Sequence, residues 1–152
     1  MAAASPPTIH ASAVLVGARA VLLRGPAGCG KSRVALSLIE AAQVGRLAFA
    51  RLVADDRVQV EARHGRLLAR PPPTLAGLIE VRGLGIRRLP YEPLAVVGLV
   101  VDLGASAAER LPAESARTAT VASVTLPRLA VASCADAAAV LLAALGTVEA
   151  GP

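Results

Sequence analysis

The sequence predicts a single α/β domain built around one phosphate-binding turn, and three observations carry that expectation. An apolar run at residues 20–23 leads into a glycine-rich stretch at 25–30, and Val34, Ala35, Leu38 and Ile39 follow at helical spacing. Most other apolar runs are short and separated by glycine or proline, as strands are. At 152 residues the chain has the length of one domain, enough to bury roughly two thirds of the surface its unfolded form exposes.

Taken in order, residues 1–8 read as a tail closed by Pro6-Pro7, with the domain expected over 9–148 and a second tail at 149–152. Runs at 11–16 and 20–23 around Gly17-Ala18-Arg19 predict a hairpin. Residues 25–30 are a loop, and 32–42 a helix. The run at 47–54 ends in Asp55-Asp56. Runs at 58–62 and 66–69 flank His64-Gly65, a hairpin turn. Pro71-Pro72-Pro73 predicts an extended loop, because proline cannot join a sheet ladder. Residues 78–81 and 95–102 read as strands, 103–118 as a connection and 120–126 as a late strand. Ser133 is expected to cap a final helix through Leu145, with Asp136 completing a variant of the capping box and Pro127 outside it.

Composition narrows the function classes. Apolar residues make up 55% and aromatics 1%, with one Phe, one Tyr and no Trp. The core must therefore be Ala, Val and Leu, and modules that stack bases on aromatic rings are excluded. Net charge is +5, from 16 Lys and Arg against 11 Asp and Glu, and Lys31 is the sole lysine. Such a surface suits an anionic partner, a nucleotide or an acidic protein. The cations are dispersed, so no nucleic-acid tail is indicated. Cys29 and Cys134 have neither a framework nor metal-ligand spacing, and are expected to be two reduced thiols in a cytosolic protein. The start of the chain lacks a signal-peptide pattern. No apolar run reaches the ~18 residues of a membrane span. A cytoplasmic protein without membrane contact is expected.

The most specific local signal is Gly25-Pro26-Ala27-Gly28-Cys29-Gly30-Lys31-Ser32, which fits G-x-x-x-x-G-K-[ST] in full. Glycines let backbone N–H groups turn inward around an anion. The helix start adds its positive dipole end. Lys31 can reach the β- and γ-phosphates of a nucleoside triphosphate, and Ser32 can place its hydroxyl on Mg²⁺.

Transfer chemistry needs a base and further oxygen ligands as well. Asp55-Asp56 ends an apolar run, at the strand edge where open α/β sheets bind ligands. Strand neighbours face opposite ways, so one carboxylate is free to take a proton while the other holds a metal or a backbone amide. Glu80 lies within Ile79-Glu80-Val81-Arg82-Gly83-Leu84-Gly85-Ile86, an apolar run where an unpaired buried carboxylate would be costly. A metal or an Arg partner would remove that cost. Gly83 and Gly85 allow a tight turn beside a ligand.

Together these residues resemble the catalytic domain of the HPr kinase/phosphorylase family. The resemblance covers residues 10–89 and rests on His10 before the loop, on residues 25–32, on Leu52-Val53-Ala54-Asp55-Asp56 and on residues 79–86, close to the family signature L-E-[IV]-R-G-L-G-I. It implies the fold shared with phosphoenolpyruvate carboxykinases. It also implies ATP-dependent phosphorylation of a serine on a small phosphocarrier protein, HPr or a relative, and in many members the reverse phosphorolysis. By the resemblance Asp56 is the base in phosphorylation and the acid in the reverse step, and Asp55 beside it is a further catalytic candidate. Lys31 holds phosphates, Ser32 and Glu80 ligate Mg²⁺, His10 is the active-site histidine, and Arg82, Gly83 and Gly85 form the signature loop. A homo-oligomer is also implied. Two departures stand out. The chain reads as a short form, of the kind found in α-proteobacteria, without the family's N-terminal domain. The basic glycine-containing loop near the C-terminal end is replaced by Val124-Thr125-Leu126-Pro127-Arg128-Leu129, where Arg128 is the one candidate for that loop's arginine. The competing readings are a non-enzymatic ATP-binding regulatory module and a P-loop kinase for a small metabolite.

Overall fold

The computed structural model describes residues 6–104 and 117–147. Among these, ten strands and two helices follow in the order β1 (Thr8–Val16), β2 (Arg19–Arg24), α1 (Lys31–Gln43), β3 (Ala50–Ala54), β4 (Arg57–Arg63), β5 (Arg66–Arg70), β6 (Leu78–Val81), β7 (Gly85–Arg88), β8 (Ala95–Leu103), β9 (Thr118–Val121), β10 (Val124–Val131) and α2 (Ala137–Gly146). This is a mixed α/β fold. Neighbours β1 and β2, and β4 and β5, pair as antiparallel hairpins, whereas β2 and β10 both run parallel to β8. The pairings β2–β1–β4–β5–β8–β2 close on themselves.

That closure divides the apolar residues between two faces, alternating along β1 and β2 and shifting by one residue in β8 between Val97 and Val100. Ala11, Ala13, Leu22, Val58, Val60, Leu67, Val97 and Val100 form one buried cluster. The alternate residues Val14, Val21, Leu23, Val101 and Leu103 form a second with Val34, Ala35 and Leu38 of α1 and Leu141 of α2. The helices thus cover one face only, and the small side chains dictated by the composition fill both layers. Two glycines are fixed by close approach. A Cβ on Gly98 would stand 2.7 Å from Arg19 Cβ, and one on Gly25 would stand 3.0 Å from the Leu103 carbonyl oxygen.

In its secondary structure the chain departs from the sequence expectations at four places. The expected strand at 120–126 is a hairpin, β9 to β10, turning at Ala122 and Ser123 with φ of 48° and 69°. Neither residue is the Gly or Asn that marks such a turn. Pro127 stands inside β10, opposite Thr118. Of the three prolines, Pro72 is extended but Pro73 opens a short 3-10 turn through Leu75. The final helix begins at Ala137 with Asp136 at its N-cap and no side-chain cap bond, so neither Ser133 nor Asp136 caps it by side chain. The expected connection at 103–118 falls mostly on residues outside those described. No described helix is long and apolar enough to cross a membrane.

Candidate active site

The end of β2 turns into residues 25–30, and α1 starts at Lys31. Gly28 and Gly30 hold φ of 79° and 98°, left-handed values that side chains resist, which explains glycine at both. Gly30 is the N-cap of α1 and provides no side-chain cap, leaving the first amides of the helix without that partner. Lys31 is buried, and its Nζ donates to the carbonyl oxygens of Gly25 (2.8 Å) and Pro26 (3.1 Å), at the mouth of the loop. Burial pushes its pKa below the ordinary lysine value, while the charges of Asp56 and Asp55 pull it back up.

Asp55 follows β3 and is buried. It accepts hydrogen bonds from Ser12 Oγ (2.6 Å) and Ser32 Oγ (2.8 Å to Oδ1, 2.9 Å to Oδ2), and at longer range from the Glu80 N–H (3.4 Å). One carboxylate therefore joins β1, the start of α1 and the ribbon of β6 and β7. Ser12 is the residue that sequence reasoning missed. A serine in an apolar strand carries no motif, and its meaning lies in being fully buried against a carboxylate 43 residues away.

Asp56 points elsewhere, but not by strand alternation: both carboxylates lie in the turn between β3 and β4. Its φ is 67°, a left-handed value that Asp tolerates better than most residues. The turn is held by the Arg57 N–H on the Asp55 backbone carbonyl (2.8 Å) and the Ala11 N–H on the Asp56 backbone carbonyl (3.2 Å). Because β4 pairs with β1 in the register His10↔Arg57, His10 lies beside Asp56, with Nε2 3.1 Å from Oδ1. Both side chains are solvent-accessible, so Asp56 is open to an incoming group.

Glu80 corrects an expectation. It lies in β6 as predicted, but on the exposed face, so no burial penalty demands a partner. The ribbon pairs only β6 with β7. Gly83 and Gly85, each with φ of 89°, make its turn. Arg82, Leu84, Ile86, Arg87 and Arg88 are all exposed along it.

Arg128 stands in β10 rather than in a loop. It pairs with Asp102, the same carboxylate that takes two hydrogen bonds from Arg24 (2.8 and 2.9 Å). Asp102 was not singled out from sequence, although an acid at the end of the apolar run 95–101 was a legible signal. Burial raises its pKa, but the hydrogen bonds and charges of Arg24 and Arg128 outweigh burial and hold it below the ordinary carboxylate range. The cluster ties the strand before the glycine loop to β8 and β10.

Cys29 and Cys134 contradict the expectation of free thiols, for they are joined as a disulfide with Cα atoms 5.6 Å apart. Their separation of 105 residues hid the pairing. The fold makes it by setting the glycine loop against the turn before α2.

These features define a mixed α/β domain with a strand–glycine-loop–helix unit and a carboxylate pair at one end. A family model described as HPr Serine kinase C-terminal domain matches residues 2–89, and the chain belongs to that family. Among curated relatives it is 40% identical over 78 residues to an HPr kinase/phosphorylase of Clostridium beijerinckii, covering 51% of this chain and 24% of the relative. It is 39% identical over 82 residues to that of Clostridium tetani, covering 54% and 25%. The chain thus spans about a quarter of the length of these relatives. Among solved structures, the Hpr(Ser) kinase/phosphatase from Coxiella burnetii superposes with a TM-score of 0.73 over 91% of this chain and 93% of that one, at 22% identity. The fold is shared.

Proposed function

We propose that the chain is an ATP-dependent protein-serine kinase whose acceptor is a small phosphocarrier protein, HPr or a relative, with phosphorolysis as the reverse reaction. One observation carries the reading: Asp55 bonds Ser12, Ser32 and the Glu80 amide while its neighbour Asp56 faces solvent beside His10. One carboxylate is committed to holding the site together, and the other is available for proton transfer.

The glycine loop fits a triphosphate, because left-handed Gly28 and Gly30 turn the backbone around an anion and Lys31 lies at its mouth. Lys31 exchanges its two carbonyl partners for phosphate oxygens. The Ser32 hydroxyl and the Glu80 carboxylate are hard oxygen donors suited to Mg²⁺, which would supply charge neutralisation on the phosphates when bound. Asp55 orients the Ser32 hydroxyl. Asp56 accepts the proton of the acceptor serine as the phosphoryl group arrives. His10 fixes the Asp56 carboxylate, and the left-handed turn holds that carboxylate away from the strand. The exposed signature ribbon, with Arg82, Gly83 and Gly85, lies beside the site through the bond from the Glu80 amide to Asp55.

The second reading is a non-catalytic ATP-binding module. It is favoured by Arg128, which is engaged by Asp102 in a strand instead of standing in a basic loop. Incubation with γ-labelled ATP, Mg²⁺ and a panel of small phosphocarrier proteins separates the two. The kinase reading expects label on a serine of one carrier and none with Lys31→Ala. ATP binding with no label on any carrier would favour the module.

A further inference from the structure

We infer that Cys29 and Cys134 form a redox-modification site, a reversible disulfide that staples the glycine loop to the start of α2 and stiffens it for nucleotide. The nucleotide clause rests on the proposed function; the staple itself does not.

Three features beyond the bond itself support this. First, the two cysteines are the only ones in the chain, and their Cα separation of 5.6 Å lies within the range a disulfide spans without backbone movement. Second, the fold leaves room for the sulfurs. Gly104, at the end of β8, has φ of 67°, and a Cβ there would meet Cys134 Sγ at 3.3 Å, Cys29 Sγ at 3.4 Å and Pro26 Cδ at 3.8 Å. The absent side chain makes space for both sulfurs against the loop. Third, the anchorage is firm on one side and soft on the other. Both cysteines pack against the buried cluster beneath the helices, and α2 is fastened there by Ala137 and Leu141. Residues Pro26, Ala27 and Gly28 are exposed, and the loop is held by one turn from the Cys29 N–H to the Pro26 carbonyl oxygen (3.1 Å) and by Lys31 Nζ on the Gly25 and Pro26 carbonyl oxygens. The staple therefore adds a covalent grip two residues before Lys31, one that stays when Lys31 exchanges its carbonyl partners for phosphate oxygens. It holds the loop with Gly28 and Gly30 in the left-handed shape that suits phosphate.

The chemistry is thiol–disulfide exchange. A Cys29 or Cys134 thiolate attacks a low-molecular-weight disulfide, one thiol leaves, and the second cysteine displaces the other from the mixed disulfide. Two protein thiols are oxidised and one external disulfide is reduced to two thiols, which take up the two protons the protein thiols give up. A dithiol reverses the process.

The test poises the full chain over a series of glutathione ratios and counts free thiols by maleimide mass shift. At each poise, amide hydrogen exchange of the peptide covering residues 25–31, the melting temperature and the affinity for a fluorescent ADP are read. The expected oxidised form shows both thiols lost together and slower exchange in the 25–31 peptide. Its melting temperature is higher by roughly 5–15 °C, the effect of closing a long loop in a domain of this size. ADP binds it about three- to tenfold more tightly, the gain from pre-ordering a binding loop. Cys134→Ser, which leaves the loop sequence intact, behaves as the reduced form at every poise. Thiols that label fully at every ratio, or equal exchange of the 25–31 peptide in both forms, would overturn the staple. Slower exchange with ADP affinity unchanged would overturn its coupling to nucleotide. Slower exchange with no ADP binding in either form would instead refute the nucleotide reading and leave the staple standing.

Discussion

Removing the Ser12 hydroxyl tests whether Asp55 organises the site from within. Ser12 is fully buried, and its Oγ donates to Asp55 Oδ1 at 2.6 Å. A hydrogen bond to a charged group contributes about 1.5–3 kcal/mol. Ser12→Ala deletes the donor without leaving Asp55 bare, because Ser32 Oγ and the Glu80 amide still serve it. The expected cost is therefore that one bond, about 1.5–3 kcal/mol. With a urea dependence of about 1–3 kcal/mol per molar, the unfolding midpoint falls by roughly 1 M. Asp55→Ala should cost more, about 2–5 kcal/mol, since it strands the buried Ser12 hydroxyl and frees Ser32. The two changes share one bond, so the double variant should fall short of additivity by about 1–2 kcal/mol. Urea unfolding of the wild type, both single variants and the double variant completes the cycle. Additivity within ~0.5 kcal/mol would refute the idea that Ser12 and Asp55 act as a unit.

Two further outcomes are expected. Asp102→Asn should destabilise the fold by about 1–3 kcal/mol at neutral pH, since Arg24 and Arg128 lose their shared charge. The Asp102 pKa is depressed in the fold, so its contribution is full above the unfolded carboxylate value and fades as pH falls through the folded one. The gap between wild type and variant in urea midpoint should therefore close below about pH 4; a gap independent of pH would contradict the pairing. Glu80→Gln should raise the Mg²⁺ concentration needed for half-maximal transfer, because an amide is a poorer ligand for a hard cation. An unchanged Mg²⁺ titration would remove Glu80 from the metal's partners.

Much of this was legible because it is local. The strand, loop and helix around residues 20–43 are specified by neighbouring residues: apolar run, glycines and helical spacing. The same holds for the hairpin at His64-Gly65, where both residues take positive φ, and for the β6–β7 turn at its two glycines. Asp55 and Asp56 announced themselves at a strand end, but they lie beyond β3, and the left-handed turn at Asp56 rather than strand alternation parts them. What escaped the sequence is what only tertiary pairing creates. Ser12 looks like any small strand residue until β3 brings Asp55 beside it. Cys29 and Cys134 meet across 105 residues. Arg24, Asp102 and Arg128 come from three strands, two of them parallel neighbours of the third. Glu80 was misread because an apolar run does not say which face is buried, and a two-stranded ribbon leaves one open.

The central claim is that Asp56 performs the proton transfer while Asp55 builds the site, and side-by-side turnover of Asp56→Asn and Asp55→Asn on a phosphocarrier acceptor tests it most directly. Asn tolerates the left-handed turn at position 56 and keeps the shape of the side chain, but it cannot take a proton. We expect kcat of Asp56→Asn to fall by about 10²–10⁴-fold, the usual contribution of a general base, with ATP affinity little changed and the melting temperature near that of the wild type. Asp55→Asn should lower the melting temperature and weaken Mg²⁺-dependent ATP binding, through its bonds to Ser12 and Ser32. Turnover retained by Asp56→Asn, with loss confined to Asp55→Asn, would contradict the account.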